Sequence, residues 1–492
     1  MGQLQDVIAT FNDQRGVGTQ VTGFDAAVLR GGSKNRMLRS TIVGVILLDS
    51  APDWERFRAK EERLTRLVPI LRMRPLYGAA NVLQPRLALD PDFDINLHLR
   101  RMRLPEGGTW DDVLHEARRM SLVDFDHDRP LWETVLIEGL PGERAAIIFK
   151  LHHALADGKA TVEMGAHLLE LSPEPTDEEM PDPPEADDAN VVAITRANLT
   201  DTAGRLLGAA TGTAKLAGSL ALGSVREPRE TWSDAANVVG SVFRATKIPG
   251  SEMSPLMTER GATYTFSTFD LPFPDMKTAA KTRGFTVNDV FLASCSTGLA
   301  NYHERFGSSA EELRFVIPVS IKGAVKDGST ANEVALARFP LPVSEVSIEE
   351  RLQSAHDEVK KWREEPALAL TNQLMDVSWL VPVPVMVLSA KGTDVTTSNV
   401  PGPPFPIYLS GARVVGTWPL VATGGGAANI TMVTYDNTAF VGVTTDDRAI
   451  VDPDAFVADL RAGFEEVVGV PAATTDPTED DASHAGRVRS EG

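Results

Sequence analysis

The sequence is short of three things: cysteine, positive charge and long apolar runs. Its 492 residues include one cysteine, Cys295, so no intramolecular disulfide can form and no set of thiolates is available to hold zinc. Acidic residues outnumber basic ones by 68 to 48, which gives a formal net charge of −20. Binding of nucleic acid requires a basic surface that replaces counterions, so this charge balance disfavours it.

No uncharged run approaches the roughly 20 residues that a membrane-spanning helix needs. The first residues contain no basic segment that leads into an apolar one, so we expect no signal peptide. With 42% hydrophobic and 24% charged residues, the composition is that of a globular protein with a large core. The sequence therefore predicts a cytoplasmic protein, and any contact that it makes with a membrane is expected to be peripheral.

The apolar pattern divides the chain into two α/β halves with an unusual middle. Residues 1–172 and residues 254–472 each alternate short apolar strands with helices. Between them, residues 173–253 begin with an acidic, proline-rich stretch that is typical of a linker or exposed loop. Within this middle, residues 206–224 are mostly small, which fits either a closely packed helix or an interfacial helix that touches lipid. Residues 473–492 are polar and predicted to be a disordered tail.

A pair of histidines lies where a predicted strand gives way to a loop. The apolar residues 145–150 predict the strand, and His152 and His153 follow it directly. Asp157 and Gly158 come next, where the chain is expected to turn towards a helix. The carboxylate of Asp157 could cap that helix or pair with an arginine, and Gly158 would relieve steric pressure in the turn.

Three interpretations of the histidine pair remain open on spacing alone. Histidine suits a general base because its pKa lies near neutrality. His152, His153 and Asp157 could instead bind a metal, since His and Asp four apart on a helix share a face. However, adjacent histidines point differently and no paired histidine motif supplies further ligands. The third interpretation is a buried histidine with a purely structural role.

Two other patterns do not match known ligand motifs. Residues 124–128 are acidic but lack the glycine and the distal glutamate of a calcium-binding loop. The glycines at 424–426 are not followed by the Lys-Ser/Thr pair of a phosphate-binding loop, so they are predicted to form an ordinary loop.

Segments spread along most of the chain carry a family resemblance. In chain order they are Asp25 to Ala27, Val68-Pro69 before Arg72 and Arg74, Phe93-Asp94 before His98, Pro130 to Glu133, Glu138 to Leu140, Lys150 to His153 with Asp157 and Gly158, Thr286 to Val290, Pro318 to Ser320, and Ser398 to Pro403. Together they closely resemble the motifs of bacterial wax ester synthase/diacylglycerol acyltransferases, over about residues 23–467.

The resemblance implies a fold and a reaction. The fold is expected to be α/β, with two halves similar to chloramphenicol acetyltransferase and the active site in a tunnel between them. His153 is expected to be the general base that takes a proton from a long-chain alcohol or from diacylglycerol as the hydroxyl attacks the thioester of acyl-CoA. The family needs no metal, cofactor or acyl-enzyme, and acyl-CoA is the donor substrate. His152 and Asp157 are then expected to shape the catalytic site.

The resemblance also suggests groups that contact substrate. Asn288 and Asn399 could line the site and steady the oxyanion, or each could be an ordinary cap or turn asparagine. Asn288 is predicted near the N-cap of a helix, and Ser398 begins a predicted rigid turn that would wall the tunnel. Gly158 is the fourth candidate for substrate binding. The chain departs from the family pattern at Gly298, where the family more often has alanine.

The sequence leaves two alternative functions. One is a polyketide-type acyltransferase fed by a carrier protein, and the other is an inactive protein on the same scaffold that binds lipid droplets. The expected partners are acyl-CoA and a lipid alcohol or diacylglycerol, without nucleic acid. Peripheral contact with the inner membrane or with lipid droplets would suit a protein that acts on such lipids.

Overall fold

A computed structural model gives the fold of this chain. It describes residues 19–21, 23–77, 84–155, 164–165, 167–176, 178–185, 192–201, 204, 254–320, 334–363 and 381–469. Asp157 and Gly158, the small-residue stretch 206–224 and the tail 473–492 lie outside the described residues. No helix in the described ranges is long and apolar enough to cross a membrane.

The described residues of the first half form seven strands and three complete helices. The strands are β1 (Thr19–Gln20), β2 (Thr41–Leu48), β3 (Met73–Leu76), β4 (Arg86–Leu89), β5 (Leu99–Arg103), β6 (Trp132–Glu138) and β7 (Ala145–His152). The helices are α1 (Gly23–Lys34), α2 (Trp54–Leu67) and α3 (Trp110–Leu122). The strand predicted from residues 145–150 is thus confirmed as β7. Helices α2 and α3 begin where Asp53 and Thr109 accept hydrogen bonds from the first-turn amides.

In the second half, the described residues form eight strands and five complete helices. The strands are β8 (Tyr264–Pro272), β9 (Glu312–Ser320), β10 (Val334–Pro342), β11 (Val395–Pro401), β12 (Tyr408–Leu409), β13 (Ala412–Val421), β14 (Ala428–Tyr435) and β15 (Thr438–Asp446). The helices are α4 (Phe273–Arg283), α5 (Val287–Arg305), α6 (Ile348–Arg363), α7 (Val383–Lys391) and α8 (Pro453–Val468).

Two six-stranded sheets organise these elements. The first has the strand order β12-β13-β2-β7-β6-β5 and the second the order β10-β9-β11-β14-β15-β8. A small third sheet has the order β1-β4-β3. Apolar residues of α5, α6 and α8 cover one face of the second sheet and form its core.

Strands β12 and β13 come from the second half of the chain but belong to the first sheet. Strand β13 pairs antiparallel with β2, with Val421 opposite Ile42. The predicted boundary at residue 254 therefore separates the chain into two segments but does not separate the two sheets.

The two halves meet through aromatic side chains. The rings of Trp110 on α3 and Trp418 on β13 lie 4.8 Å apart, and Trp418 meets Phe440 of β15 at 5.0 Å. Trp110 Nε1 donates to Thr268 Oγ1 at 2.9 Å, so its polar group is satisfied within the contact. The residues of this contact form one buried cluster, which fixes the second sheet against the first.

Helices α5 and α8 cross at two glycines. A Cβ atom on Gly463 would lie 2.3 Å from the backbone nitrogen of Gly298, and one on Gly298 would lie 2.5 Å from the Cα atom of Leu460. Neither position has room for a side chain. The departure from the family pattern at Gly298 is therefore explained by the close approach of the two helices.

The acidic, proline-rich stretch that follows the histidine region lies along α2. Arg56 donates to the carbonyl oxygens of Pro173 and Glu174 at 2.9 Å, and Arg66 donates to that of Pro181 at 2.8 Å. The described residues of the stretch, 172–176 and 178–185, are irregular and mostly exposed, and basic side chains of α2 hold their backbone in place.

Candidate functional site

The histidine pair lies at the carboxyl end of β7, in the middle of the first sheet. The backbone N–H of His152 donates to Leu131 O at 2.9 Å, and that of His153 donates to Ser40 O at 2.9 Å. Leu155 N then donates to His152 O at 2.9 Å, which closes a turn. Hydrogen bonds that the pair donates to both neighbouring strand regions thus fix its backbone.

His152 points into the protein. Its side chain is buried, and the edge of its ring meets Phe125 with 6.0 Å between the ring centroids. Its Nδ1 atom accepts a hydrogen bond from Ala154 N at 3.1 Å. Burial lowers the pKa of His152 to about 3, and the nearby His153 adds to the shift. His152 is therefore neutral near pH 7, and one ring nitrogen is already used to hold the turn.

His153 points the other way, towards α1. Its Nδ1 atom lies 3.3 Å from Oδ1 of Asp25, and its side chain is 26% exposed. Opposite orientations are expected for neighbours at a strand end, since successive side chains of a strand alternate between faces. The sequence prediction that the two histidines point differently is confirmed.

Asp25 belongs to the first segment of the family resemblance, but the sequence alone predicts no role for it. It lies in the first turn of α1 and is 128 positions away from His153 in the chain. No local spacing pattern can connect residues at that separation. Its occurrence in the first segment of the family resemblance was the one signal available.

Several segments that carry the family resemblance pack into one aromatic stack. The ring of His98 lies 4.6 Å from that of Trp132 and 5.3 Å from that of Phe93, and the guanidinium of Arg72 covers Phe93 at 4.5 Å. Trp132 Nε1 donates to Leu71 O at 2.7 Å. Trp132 is thus a packing residue, and the stack supports the strand region that holds the backbone of His152.

Lys150 occupies the same face of β7 as His152. Its ammonium is buried, lies 3.9 Å from the centre of the Phe125 ring, donates to Val123 O at 3.0 Å and pairs with Glu133 at 3.3 Å. Burial lowers its pKa, and the neighbouring carboxylate of Glu133 opposes that shift. Lys150 therefore joins the segment after α3 to the strand that carries the histidines.

Asn288 lies two residues after the N-cap of α5, so the prediction that it is near the start of a helix is confirmed. The cap is Thr286, which forms a reciprocal capping box with Asp289. Asn288 lies in the first turn and is half-buried. Within the described part of the chain, no hydrogen bond joins its side chain to the histidine pair. Its proposed role at the site stays a prediction.

Ser398 and Asn399 lie on β11, where the sequence predicted a rigid turn. Parallel pairing with β14 places Ser398 opposite Thr431 and Asn399 opposite Met432, so the extended strand continues to Pro401. Met432 belongs to the core under the helices of the second half. Since strand neighbours alternate, Asn399 faces that helical layer and Ser398 faces the other side. The pair cannot line one surface together.

Comparisons with known proteins agree with this geometry. Residues 21–291 match the family model described as the wax ester synthase/diacylglycerol acyltransferase catalytic domain. Residues 330–467 match the model of the C-terminal domain of the same family. The histidine pair and Asp25 both lie within the catalytic match.

Relatives and solved structures extend over nearly the whole chain. A Mycobacterium tuberculosis protein, provisionally named a diacylglycerol O-acyltransferase, is 30% identical over 467 residues, which are 93% of this chain and 94% of the relative. The wax ester synthase/diacylglycerol acyltransferase from Marinobacter aquaeolei VT8 has a similar structure, with a TM-score of 0.60 and 22% identity over 92% of this chain and all of that one.

A third likeness concerns the fold alone. The first condensation domain of the calcium-dependent antibiotic synthetase has a TM-score of 0.59 and 17% identity, and the match covers 93% of this chain and 98% of that domain. The predicted α/β fold with two halves similar to chloramphenicol acetyltransferase is confirmed. The chain belongs to the wax ester synthase/diacylglycerol acyltransferase family and is an acyltransferase.

Proposed function

We propose that this enzyme transfers a fatty acyl group from acyl-CoA to the hydroxyl of diacylglycerol, of a long-chain alcohol, or of both. The products would be a triacylglycerol and a wax ester. The observation that carries the proposal is the placement of His153, which is part-exposed at a strand end with Nδ1 beside Asp25. The family and the names of its relatives support the class of substrate.

The proposed reaction is a direct transfer with His153 as general base. When Nδ1 carries its proton towards Asp25, Nε2 holds the lone pair of the ring. Nε2 takes the proton of the acceptor hydroxyl while the oxygen attacks the thioester carbonyl carbon. The tetrahedral intermediate then collapses, its carbon–sulfur bond breaks, and the leaving thiolate receives the proton from the imidazolium. The products are an ester and free coenzyme A.

The thiol of Cys295 is unsuited to carry the acyl group. It is completely buried inside α5, and burial raises its pKa well above the usual value. A thiol that is neither ionised nor reachable is a poor nucleophile. This supports direct transfer without an acyl-enzyme on cysteine. The thioester is itself activated, so the proposed reaction uses acyl-CoA as a substrate and needs no cofactor.

The remaining site groups have proposed roles. Asp157 and Gly158 would shape the loop after the histidines, and Ser398, Asn288 and Asn399 would contact substrate in a tunnel between the halves. The opposite faces of Ser398 and Asn399 favour separate contacts. Since both substrates are lipids, we expect the enzyme to work in the cytoplasm, at the surface of the inner membrane or of lipid droplets.

The test is release of free coenzyme A by the purified protein. We expect palmitoyl-CoA with dipalmitoylglycerol or with hexadecanol to give thiol release above the acceptor-free background. His153→Ala should lower that rate by about 10²–10⁴, the usual contribution of a general base. His115→Ala, which removes an exposed imidazole from α3, is the matched control and should leave the rate unchanged.

The same assay separates the alternative functions. Activity with an acyl carrier protein as donor but not with palmitoyl-CoA would indicate a carrier-fed acyltransferase. Co-sedimentation with lipid droplets without turnover of either acceptor would indicate an inactive binding protein. A His153→Ala variant as active as the wild type would contradict the proposed mechanism.

A further inference from the structure

The carboxylate of Asp25 lies beside the proposed base. Its Oδ1 atom is 3.3 Å from Nδ1 of His153, at the long end of hydrogen-bond geometry, where catalytic contacts often lie before substrate binds. We propose that Asp25 is a positioning residue that holds the His153 imidazole in the tautomer and orientation needed for proton removal. This inference rests on the proposed function, because it concerns the same base.

The packing of α1 fixes Asp25 relative to the strand that carries His153. Ala26 and Leu29, on the same helix, are buried in a core cluster with Leu151 and Leu155, which flank the histidine pair. Buried apolar contacts of this kind are close-packed and leave little room for a helix to shift. The position of the carboxylate is therefore set by the core.

The chain that follows α1 also binds the backbone of His153. Asn35 N donates to Gly31 O at 2.8 Å, and the Asn35 side chain accepts from Met37 N at 3.0 Å, which directs the chain from α1 into β2. Ser40, at the start of that strand region, accepts the hydrogen bond from His153 N at 2.9 Å. One continuous segment thus holds both the backbone and the ring nitrogen of the base.

Charge favours the same arrangement. Asp25 lies in the first turn of α1, where the helix dipole stabilises a negative charge. A carboxylate there accepts the Nδ1 proton of a neutral imidazole, and it stabilises the imidazolium that forms when Nε2 takes a proton. An asparagine at this position can present its amide N–H groups to Nδ1, which favours the opposite tautomer.

A second aspartate–histidine contact shows what a structural pair looks like in this chain. Asp289 Oδ2 lies 3.1 Å from His356 Nδ1, but the carboxylate also closes the capping box of α5. It therefore has a helix-capping duty that Asp25 does not have in the described contacts. The side chain of Asp25 instead contacts the base itself.

The test compares Asp25→Asn and Asp25→Glu with the wild type, using palmitoyl-CoA and dipalmitoylglycerol. We expect Asp25→Asn to lower kcat by about 10²-fold, the size expected for a reacting group that is misplaced by ~1 Å, with KM unchanged. Asp25→Glu, which keeps a carboxylate, should recover part of the loss. Asp454→Asn removes an exposed carboxylate from the first turn of α8 and should behave as the wild type.

Nitrogen-15 NMR of the histidine side chains supplies a readout that a merely structural role would not move. We expect the His153 signals, assigned by their loss in His153→Ala, to change from the Nδ1–H form to the Nε2–H form in Asp25→Asn. Wild-type kcat in Asp25→Asn, or an unchanged tautomer, would overturn the inference. Absence of acyl transfer by the wild-type protein would instead overturn the proposed function, while the tautomer measurement would still report on the pair.

Discussion

Two adjacent histidines in this chain have opposite environments. The alternation of side chains along β7 turns His152 inward against Phe125 and His153 towards α1. Sequence reasoning could predict that divergence, because it depends on a strand recognisable from its apolar residues. It could not assign a role to Asp25. Asp25 and His153 are 128 positions apart, and tertiary packing, which leaves no spacing pattern in the sequence, brings them together.

The shifted pKa values of two buried ionisable groups predict how the free energy of unfolding depends on pH. Burial lowers the pKa of His152 to about 3 and raises that of Glu61 on α2 to about 8. Below pH 6.5 the unfolded chain protonates His152 while the folded chain does not, so the free energy of unfolding decreases as pH falls towards 3. Above pH 4.5 the unfolded chain ionises Glu61 while the folded chain does not. The free energy of unfolding therefore also decreases as pH rises towards 8.

Glu61→Gln isolates the second effect. Glutamine resembles the protonated side chain, so the variant should gain stability relative to the wild type between pH 4.5 and 8, by about 1.4 kcal/mol per pH unit. Urea unfolding at pH 4.5, 6 and 8 measures the difference. The control Glu55→Gln changes an exposed residue of the same helix. A difference between Glu61→Gln and wild type that does not vary with pH would refute the assignment.

At the scale of elements, Glu170 joins α2 of the first half to Tyr408 and Ser410 of the second half. One carboxylate oxygen pairs with Arg56 and, at 3.1 Å, with Lys60 of α2, and the other accepts from Ser410 N at 3.0 Å. Its backbone exchanges two hydrogen bonds of 2.8 Å with Tyr408 of β12. Glu170 therefore fastens the chain that leaves the histidine region to both α2 and the first sheet.

Glu170→Gln should weaken this junction. We expect the free energy of unfolding to fall by about 2 kcal/mol, because charge-assisted hydrogen bonds are lost and buried Lys60 keeps fewer partners. Limited proteolysis should also cut faster within residues 171–185. Glu178→Gln is the control, since that carboxylate is 35% exposed and should cost no more than about 1 kcal/mol. Equal losses for the two variants would contradict the special role of Glu170.

An element could be predicted from the sequence where its pattern of residues is local. Strands β7 and β14 follow from short runs of apolar and β-branched residues. The prediction that Asn288 lies near the start of a helix is confirmed, because Thr286 and Asp289 form a local capping box at the start of α5. The turn predicted from Ser398 was wrong because the parallel partner β14 satisfies the backbone there, and such a partner is invisible to local patterns.

For the whole molecule, the contact between the two sheets depends on Gly442. Gly442 is in β15 of the second sheet, and Pro419 is in β13 of the first. A Cβ atom on Gly442 would lie 1.9 Å from the carbonyl oxygen of Pro419. The neighbouring atom is backbone and cannot rotate away. The two sheets can therefore approach this closely only because the residue is glycine.

Gly442→Ala should force the sheets apart. We expect a loss of about 1–3 kcal/mol, typical of overpacking, seen as a lower midpoint of urea unfolding. Acyl transfer should fall as well, because β13 pairs with the strand region beside the histidines. In the control Gly165→Ala the nearest atom to the new Cβ lies 3.9 Å away, so its midpoint should not decrease. Wild-type stability and activity in Gly442→Ala would contradict the requirement for glycine at this contact between the sheets.

The crossing of β13 into the first sheet constrains how the protein is made. During synthesis, β2 leaves the ribosome long before residues 412–421 exist, so one edge of it lacks its final neighbour. An unpaired strand edge can pair with another chain and aggregate. Closing such a long loop also slows folding, because its entropy is lost before the contact is gained. The first half therefore has an edge of β2 open to self-association until translation is nearly complete.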